Sequence, residues 1–259
     1  MRCVLQFPGA AAAAAPAVRY SEVEPPPDLR RAVACFWSLE VAAGSGGFLQ
    51  RMLPDLSVDL IALADGVRIA IGPMLRATDV PIPAGAVLRG VRLRAGIAAR
   101  LLGVPAKDLV GRRHRLDGVA PDLDLRLRSG PEGFHAAVAQ ALRGREIAPC
   151  EGMDLHTSLR WLAANPTTVV DQLSARLGVS ARYVRRHLAS ELGCSPKTAQ
   201  RILRVQRVLR MARATCGQAA LADVAERCGF ADQPHLSREL RHFMRLTPGR
   251  LMTMARAGG

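Results

Sequence analysis

Leu173-Ser174-Ala175-Arg176-Leu177-Gly178-Val179-Ser180, followed by Tyr183-Val184-Arg185-Arg186-His187-Leu188 and Ser195-Pro196, is answered later in the chain by a second stretch. That stretch is Val224-Ala225-Glu226-Arg227-Cys228-Gly229-Phe230, then Asp232, Leu236-Ser237-Arg238, Leu240 and Thr247-Pro248. Ser180 and Asp232, Val184 and Leu236, Leu188 and Leu240, and Pro196 and Pro248 all stand 52 positions apart, with one extra loop residue, Ala231, in the second copy. A pattern repeated in register is one supersecondary unit written twice. In each copy a small residue, Ser174 or Ala225, lets two helices cross closely. Gly178 or Gly229 then permits the sharp turn between them. Ser180 and Asp232 stand where a short side-chain oxygen caps the next helix. The stretch predicts two helix-turn-helix units.

The helix after each turn has two faces. Val184, Leu188 and Leu192 fall inward at helical spacing, which turns Arg182, Arg185 and Arg186 outward. In the second unit Leu236 and Leu240 pack, and Pro234 occupies the first turn, where no N–H is needed. Gln233, His235, Ser237 and Arg238 lie on the outer side; Glu239 reads as an intrahelical or solvent contact. His235 has two readings, a local cap or a contact with nucleic acid. Arginine forks and amides at the start of such a helix suit base edges in a major groove. Upstream, Leu155, Leu159 and Leu162 form the buried face of a first helix ended by Asn165-Pro166, and Thr168 can cap the next. Between the units, Ser195-Pro196 opens a helix predicted to reach about Arg213, roughly 27 Å long. Successive major-groove windows lie about 34 Å apart, so this helix can hold two units in neighbouring windows. Arg201, Arg204, Arg207 and Arg210 recur along it and read as phosphate contacts or as a solvated stripe.

Composition agrees with this assignment. The 259 residues suffice for two domains with separate cores. Apolar residues at 49% exclude a disordered chain. Of the net charge of +14, most belongs to residues 156–259, with 17 Lys+Arg against 6 Asp+Glu; residues 1–155 carry 19 against 16. The surplus coincides with the repeated units, as a phosphate-binding surface requires, and a solvated basic face would give the same count. The six cysteines form no C-x-x-C pair, so no metal site is expected, and Cys194, Cys216 and Cys228 read as reduced packing residues. No apolar run reaches membrane-spanning length. Pro8 and Gly9 break the apolar start, so residues 1–18 read as a disordered leader and the expected location is cytoplasmic. No nucleophile–base pair or carboxylate dyad stands out; neither an enzyme nor a cofactor is expected.

From Tyr20 to Val91 the pattern changes to strands, at Val33–Val41, Ser57–Leu63, Val67–Ile71 and Val87–Leu93. Helices are predicted at Ala95–Leu102, Ala106–Val110 and Glu132–Gly144, with an acidic, turn-rich stretch over 117–131. The fold class is therefore α+β. A mainly β, small barrel-like N-terminal domain (19–146) is joined by a linker (147–153) to an all-α domain (154–255) with two helix-turn-helix units and one long connecting helix. Asp55, Asp59, Arg92 and Arg94 are candidate polar groups of a ligand pocket, with Phe36 and Trp37 as apolar wall. Each reads equally as a turn or core residue.

The run Ala225-Glu226-Arg227-Cys228-Gly229-Phe230-Ala231-Asp232-Gln233-Pro234-His235-Leu236-Ser237-Arg238, with Thr247-Pro248 after it, resembles the AraC/XylS-type transcription regulators. The likeness covers about Leu155–Met252. It implies two helix-turn-helix subdomains on promoter DNA, with Arg182, Arg185 and Arg186 and then Gln233, His235, Ser237 and Arg238 at base-facing positions. Leu236 and Ala199 stand where the family often has aromatic residues, Leu251-Met252 replaces a frequent Tyr-Arg, and Pro234 replaces a commonly polar residue. Upstream, Cys35-Phe36-Trp37-Ser38-Leu39, Leu53-Pro54-Asp55-Leu56-Ser57-Val58-Asp59-Leu60, Gly72-Pro73-Met74 and Gly90-Val91-Arg92-Leu93 resemble the sensor half of one bacterial subgroup.

These readings converge on a sequence-specific DNA-binding regulator. Its partners would be double-stranded promoter DNA, a small-molecule effector, RNA polymerase and a second copy of the chain, with no membrane. The helices at Ala95–Leu102 and Glu132–Gly144 offer the seam of a homodimer. The alternative is a small-molecule-binding or protein-interaction module whose DNA affinity is only non-specific, which salt would erase.

Overall fold

The computed structural model describes residues 18–128, 130–144, 154–167 and 170–257. The predicted leader (apart from Val18), the linker 147–153 and Thr168 lie outside the described residues. The described residues of the N-terminal part hold eight strands: β1 (Val18–Val23), β2 (Val33–Val41), β3 (Phe48–Met52), β4 (Val58–Leu63), β5 (Arg68–Ile71), β6 (Thr78–Ile82), β7 (Val87–Leu93) and β8 (Arg113–Arg115). Six form an antiparallel sheet in the order β1-β2-β7-β4-β5-β8, and β3 pairs with β6 as a separate hairpin. With β1 and β8 as its two edges, the barrel-like form is realised as an open sheet.

Strand alternation decides what each face meets. Phe36, Val91 and Leu60 align across β2, β7 and β4. They enter a core shared with Leu101, Leu116, Phe134, Val138 and Leu142. Leu101 comes from α1 (Ile97–Leu102), Leu116 from α3 (Leu116–Val119), and Phe134, Val138 and Leu142 from α5 (Gly130–Arg143); Leu109 of α2 (Ala106–Leu109) and Leu123 of α4 (Pro121–Arg126) join the same core. The opposite face carries Trp37, Leu39, Ile61 and Ile69, against Phe48 and Ile82 of the hairpin. The apolar faces of α1 and α5 are thus used inside the chain, so neither offers the expected dimer seam. The stretch 117–131, predicted as turn, contains α3 and α4 because Leu116, Leu123 and Leu127 each reach that core.

The described residues of the C-terminal part form helices joined by turns: α6 (Leu155–Ala164), α7 (Val170–Leu177), α8 (Ala181–Leu192), α9 (Pro196–Ala214), α10 (Leu221–Arg227), α11 (Gln233–Met244) and α12 (Pro248–Ala257). Caps fix the starts. Ser180 Oγ accepts from the Tyr183 N–H at 3.1 Å, Ser195 Oγ from Thr198 at 3.1 Å, and the Asp232 carboxylate from His235 at 2.5 Å. Gly178 and Gly229 adopt φ of 67° and 79°, the left-handed turn that the repeat demanded of them. Val184, Leu188, Leu192, Leu236 and Leu240 are all buried in one core that runs through both units.

Leu53 and Leu56 of the N-terminal part belong to that same helical core. Pro54 O accepts a hydrogen bond from Gln206 Nε2 of α9, and the Ala77 N–H donates to Phe243 O of α11 at 2.7 Å. Arg100 lies 3.8 Å from Glu191 near the end of α8. Both turn-following helices therefore touch the N-terminal part at their C-terminal ends, which leaves their first turns clear.

Candidate nucleic-acid interface

The first two turns of α8 and α11 present the side chains the sequence singled out. Arg182, Arg185 and Arg186 are exposed on α8; Gln233 and Arg238 are exposed on α11, and Ser237 is half-buried. Arg185 reaches back to Asp171 of α7 at 3.2 Å, an exposed pair that is weak in water and able to exchange for a phosphate or base. His235 has a local partner on one ring nitrogen. Its Nδ1 accepts the Ala231 N–H at 3.3 Å, and its ring meets Phe230 edge-on at 5.4 Å. That bond puts the ring proton on Nε2, which remains a donor for an outside partner.

Three of the α9 arginines, Arg201, Arg204 and Arg207, have partners inside the domain. Arg201 donates from Nε and Nη2 to the two oxygens of Glu239 on α11, both at 2.8 Å, and its guanidinium lies 4.8 Å over the Phe243 ring. Arg204 donates to Pro166 O at 2.6 Å, and Arg207 approaches Ala163 O and Ala164 O at 3.4 Å. Arg201 and Arg204 are thus engaged within the domain, and a phosphate would have to displace these partners. Arg210 alone of the four is exposed. Glu239 is buried, not solvated: burial raises its carboxyl, and the hydrogen bonds and charge of Arg201 outweigh this and hold it below the ordinary range. Sequence reasoning missed the pair because its members are 38 positions apart.

A second cluster lies under the β3–β6 hairpin. Asp59 and Arg92 face each other in register across β4 and β7. The Arg92 Nε–Asp59 Oδ1 distance is 3.1 Å, and Trp37 Nε1 donates to Asp59 Oδ1 at 2.9 Å. Gly90 opposes Trp37 in the register, and a β-carbon there would fall inside the indole. Glu22 of β1 lies 3.9 Å from Arg92 and accepts from the Tyr20 hydroxyl at 2.6 Å; burial and that bond push the phenol pKa up. Asp55, Asp59 and Arg92 line a small cavity of about 20 Å³ with Gln50, Ser57 and Met74, room for about one water. Gln50 Oε1 is buried there without a hydrogen-bond partner. Asp55 keeps only an edge in solvent; burial, reinforced by Asp59 and opposed by Arg92, pushes its carboxyl up to about 7.

Of the expected pocket residues, Asp55, Asp59 and Arg92 come together, and Trp37 adjoins them through Asp59. Phe36 lies on the other face of the sheet, and Arg94 turns away to Arg30 O at 2.7 Å. Among the described residues no group of three or more His, Cys, Asp or Glu could hold a metal ion, and no helix is long and apolar enough to cross a membrane.

Residues 173–254 match a family model described as a helix-turn-helix domain, and residues 21–115 match one described as a domain of unknown function, DUF6597. No curated protein sequence matches the chain. Among solved structures, the chain is similar to a transcriptional regulator with an AraC-type DNA-binding domain from Chromobacterium violaceum. Identity is 27% over 40% of this chain and 94% of that one, with a TM-score of 0.35. It is similar to the C-terminal domain of AraT, a response regulator from Geobacillus stearothermophilus, at 19% identity over 40% and 84%, TM-score 0.35. ToxT from Vibrio cholerae is similar over 80% of this chain and 97% of its own, at 12% identity and a TM-score of 0.44.

Proposed function

We propose that this chain, of the AraC/XylS type with an N-terminal domain ahead of its helix-turn-helix region, is a sequence-specific DNA-binding transcription regulator that reads two adjacent major-groove segments with α8 and α11. The observation that carries this reading is the repetition: two capped helices, one core behind both, and polar side chains on the first turns of each. Arg182, Arg185 and Arg186 read one block of bases; Gln233, Ser237, Arg238 and the His235 Nε2–H read the other. The excess of positive charge in residues 156–259 supplies the non-specific attraction.

The DNA-binding domain occupies 154–255 and the N-terminal domain 19–146, a division supported by the separate family matches. We assign the N-terminal domain the sensing of a small-molecule effector at Asp55, Asp59 and Arg92, beside Trp37, where the one-water cavity must widen to admit it, because the loop carrying Asp55 also touches α9 through Pro54. Promoter DNA, RNA polymerase and a second copy of the chain are its partners, and its place is the cytoplasm. It performs no catalysis.

Selection of bound duplexes from a random pool, at two salt concentrations and with Arg185→Ala and Arg238→Ala, tests the DNA reading. The expected result is a motif of two blocks about one helical turn apart, each lost with one variant. Sequence-blind binding that vanishes at higher salt would overturn it and leave the module with only non-specific DNA affinity.

A further inference from the structure

We propose that Arg201 and Glu239 are positioning residues: their ion pair sets the angle between α9 and α11, and so fixes the spacing of the two DNA blocks the chain accepts. The inference rests on the two-block reading above and adds a residue-level origin for its geometry.

Glu239 follows Arg238 directly in α11 but faces the other way, on a surface otherwise made of Leu236, Leu240 and Phe243, and it is only 7% exposed. Arg201 is only partly buried, yet desolvating the Glu239 carboxylate offsets much of the pair's attraction, so the pair is a weak source of net stability; the best-attested use of such a pair is to fix one arrangement among several. Here the arrangement is unusually constrained. Two parallel hydrogen bonds at 2.8 Å hold the guanidinium in the plane of the carboxylate. The same guanidinium lies over Phe243, one turn further along α11. Apolar contacts at Leu236 and Leu240 allow a helix to roll or slide by small amounts. A planar fork joined to two successive turns does not.

The end of α6, ahead of the first unit, is tied to α9 within two turns of Arg201. Arg204 binds Pro166 O, Gln200 Nε2 donates to the same carbonyl at 3.3 Å, and Arg207 approaches Ala163 O and Ala164 O. These carbonyls lie at the end of α6. Three residues of helix separate Arg201 from Arg204, a rise of about 4.5 Å. Along one side of α9, neighbouring arginines therefore grip the end of α6, which leads into the first unit, and the second recognition helix. Arg201 does this at the expense of reaching a phosphate.

The test measures affinity for duplexes carrying the two selected blocks with the spacer changed by up to two base pairs either way, for the full chain and for Glu239→Gln. The wild type is expected to prefer its selected spacing at least tenfold over neighbouring ones. Glu239→Gln is expected to keep affinity for the first block alone within about twofold and to flatten the spacing preference below about threefold. The exchange Arg201→Glu with Glu239→Arg is expected to restore a sharp optimum. Unchanged spacing preference in Glu239→Gln would overturn the proposal. So would loss of the second block at every spacing, in that variant and in the exchange, because the pair would then hold α11 together and not aim it. Absence of any two-block motif in the wild type would instead remove the parent reading.

Discussion

Asp55→Asn isolates one charge at the contact between the two domains. The Asp55 carboxyl accepts the Ser57 N–H at 3.2 Å, and its own N–H donates to Met74 O at 2.9 Å, so asparagine keeps the shape and the acceptor while removing the proton equilibrium. An acid whose folded pKa is raised binds its proton more tightly when folded. Stability therefore falls as pH climbs from the unfolded value of 3.8 to the folded value of about 7, and stays low above it. The full displacement corresponds to ~4 kcal/mol. Because the edge of Asp55 meets solvent, about half of that is expected. Roughly 1.5 kcal/mol of it should accrue between pH 5 and pH 8. Carboxylates held below their ordinary values, such as Glu239 and Asp154, gain their stabilising ionisation at lower pH and cancel between the two proteins. Thermal unfolding of both chains at pH 5 and pH 8 measures the effect: the midpoint of Asp55→Asn lies above that of the wild type at both, and the gap should be wider by about 4 °C at pH 8 than at pH 5. A difference between the two proteins that stays constant across this range would show that Asp55 is ionised in the fold near its ordinary pKa, and would refute the assignment of a desolvated acid to this loop.

Other substitutions probe other links. Gly90→Ala should destabilise by about 3 kcal/mol or more, because the new methyl group must displace the Trp37 indole; indole fluorescence during chemical unfolding would report both the lost stability and the changed ring environment. Asp232→Ala removes the cap of α11 and should cost about 1 kcal/mol, read as a lower denaturation midpoint. On DNA carrying both blocks, Arg238→Ala should weaken binding about 10- to 100-fold while sparing the contribution of the first block, if its fork makes a bidentate base contact.

What the sequence made legible follows from the range over which each signal acts. Caps, turn glycines and buried leucines are local, so α8, α9 and α11 begin at Ser180, Ser195 and Asp232 as the pattern demanded. Val33–Val41 and Val87–Leu93 were also readable, since alternation and bounding turns lie within a few residues. The hairpin of β3 and β6 was not: its strands pair Phe48 with Ile82 across 34 positions, and Pro81 interrupts the usual strand signature. Short helices α3 and α4 contain too few residues to display a period; only their contacts explain them.

The α9 arginines show where the limit lies for function. Their spacing correctly placed Arg201, Arg204 and Arg207 close to one another on a helix, yet spacing says nothing of what that side of the helix meets. A carboxylate brought in from α11 and carbonyls from the end of α6 convert a stripe that resembled a phosphate rail into internal fastenings. Asp59 and Arg92 pose the same problem in the sheet: each is an ordinary charged residue within its own strand, and only the β4–β7 register makes them partners. Base-facing residues escape this difficulty because they are defined by exclusion. On α8 and α11 the inward positions are occupied by apolar side chains, so Arg182, Arg186, Gln233 and Arg238 can only face out. A reading surface is therefore visible in a sequence where a fastening is not, and substitutions of Glu239 and Arg238, adjacent in the chain but on opposite sides of α11, should separate the two roles by changing spacing preference in one case and base preference in the other.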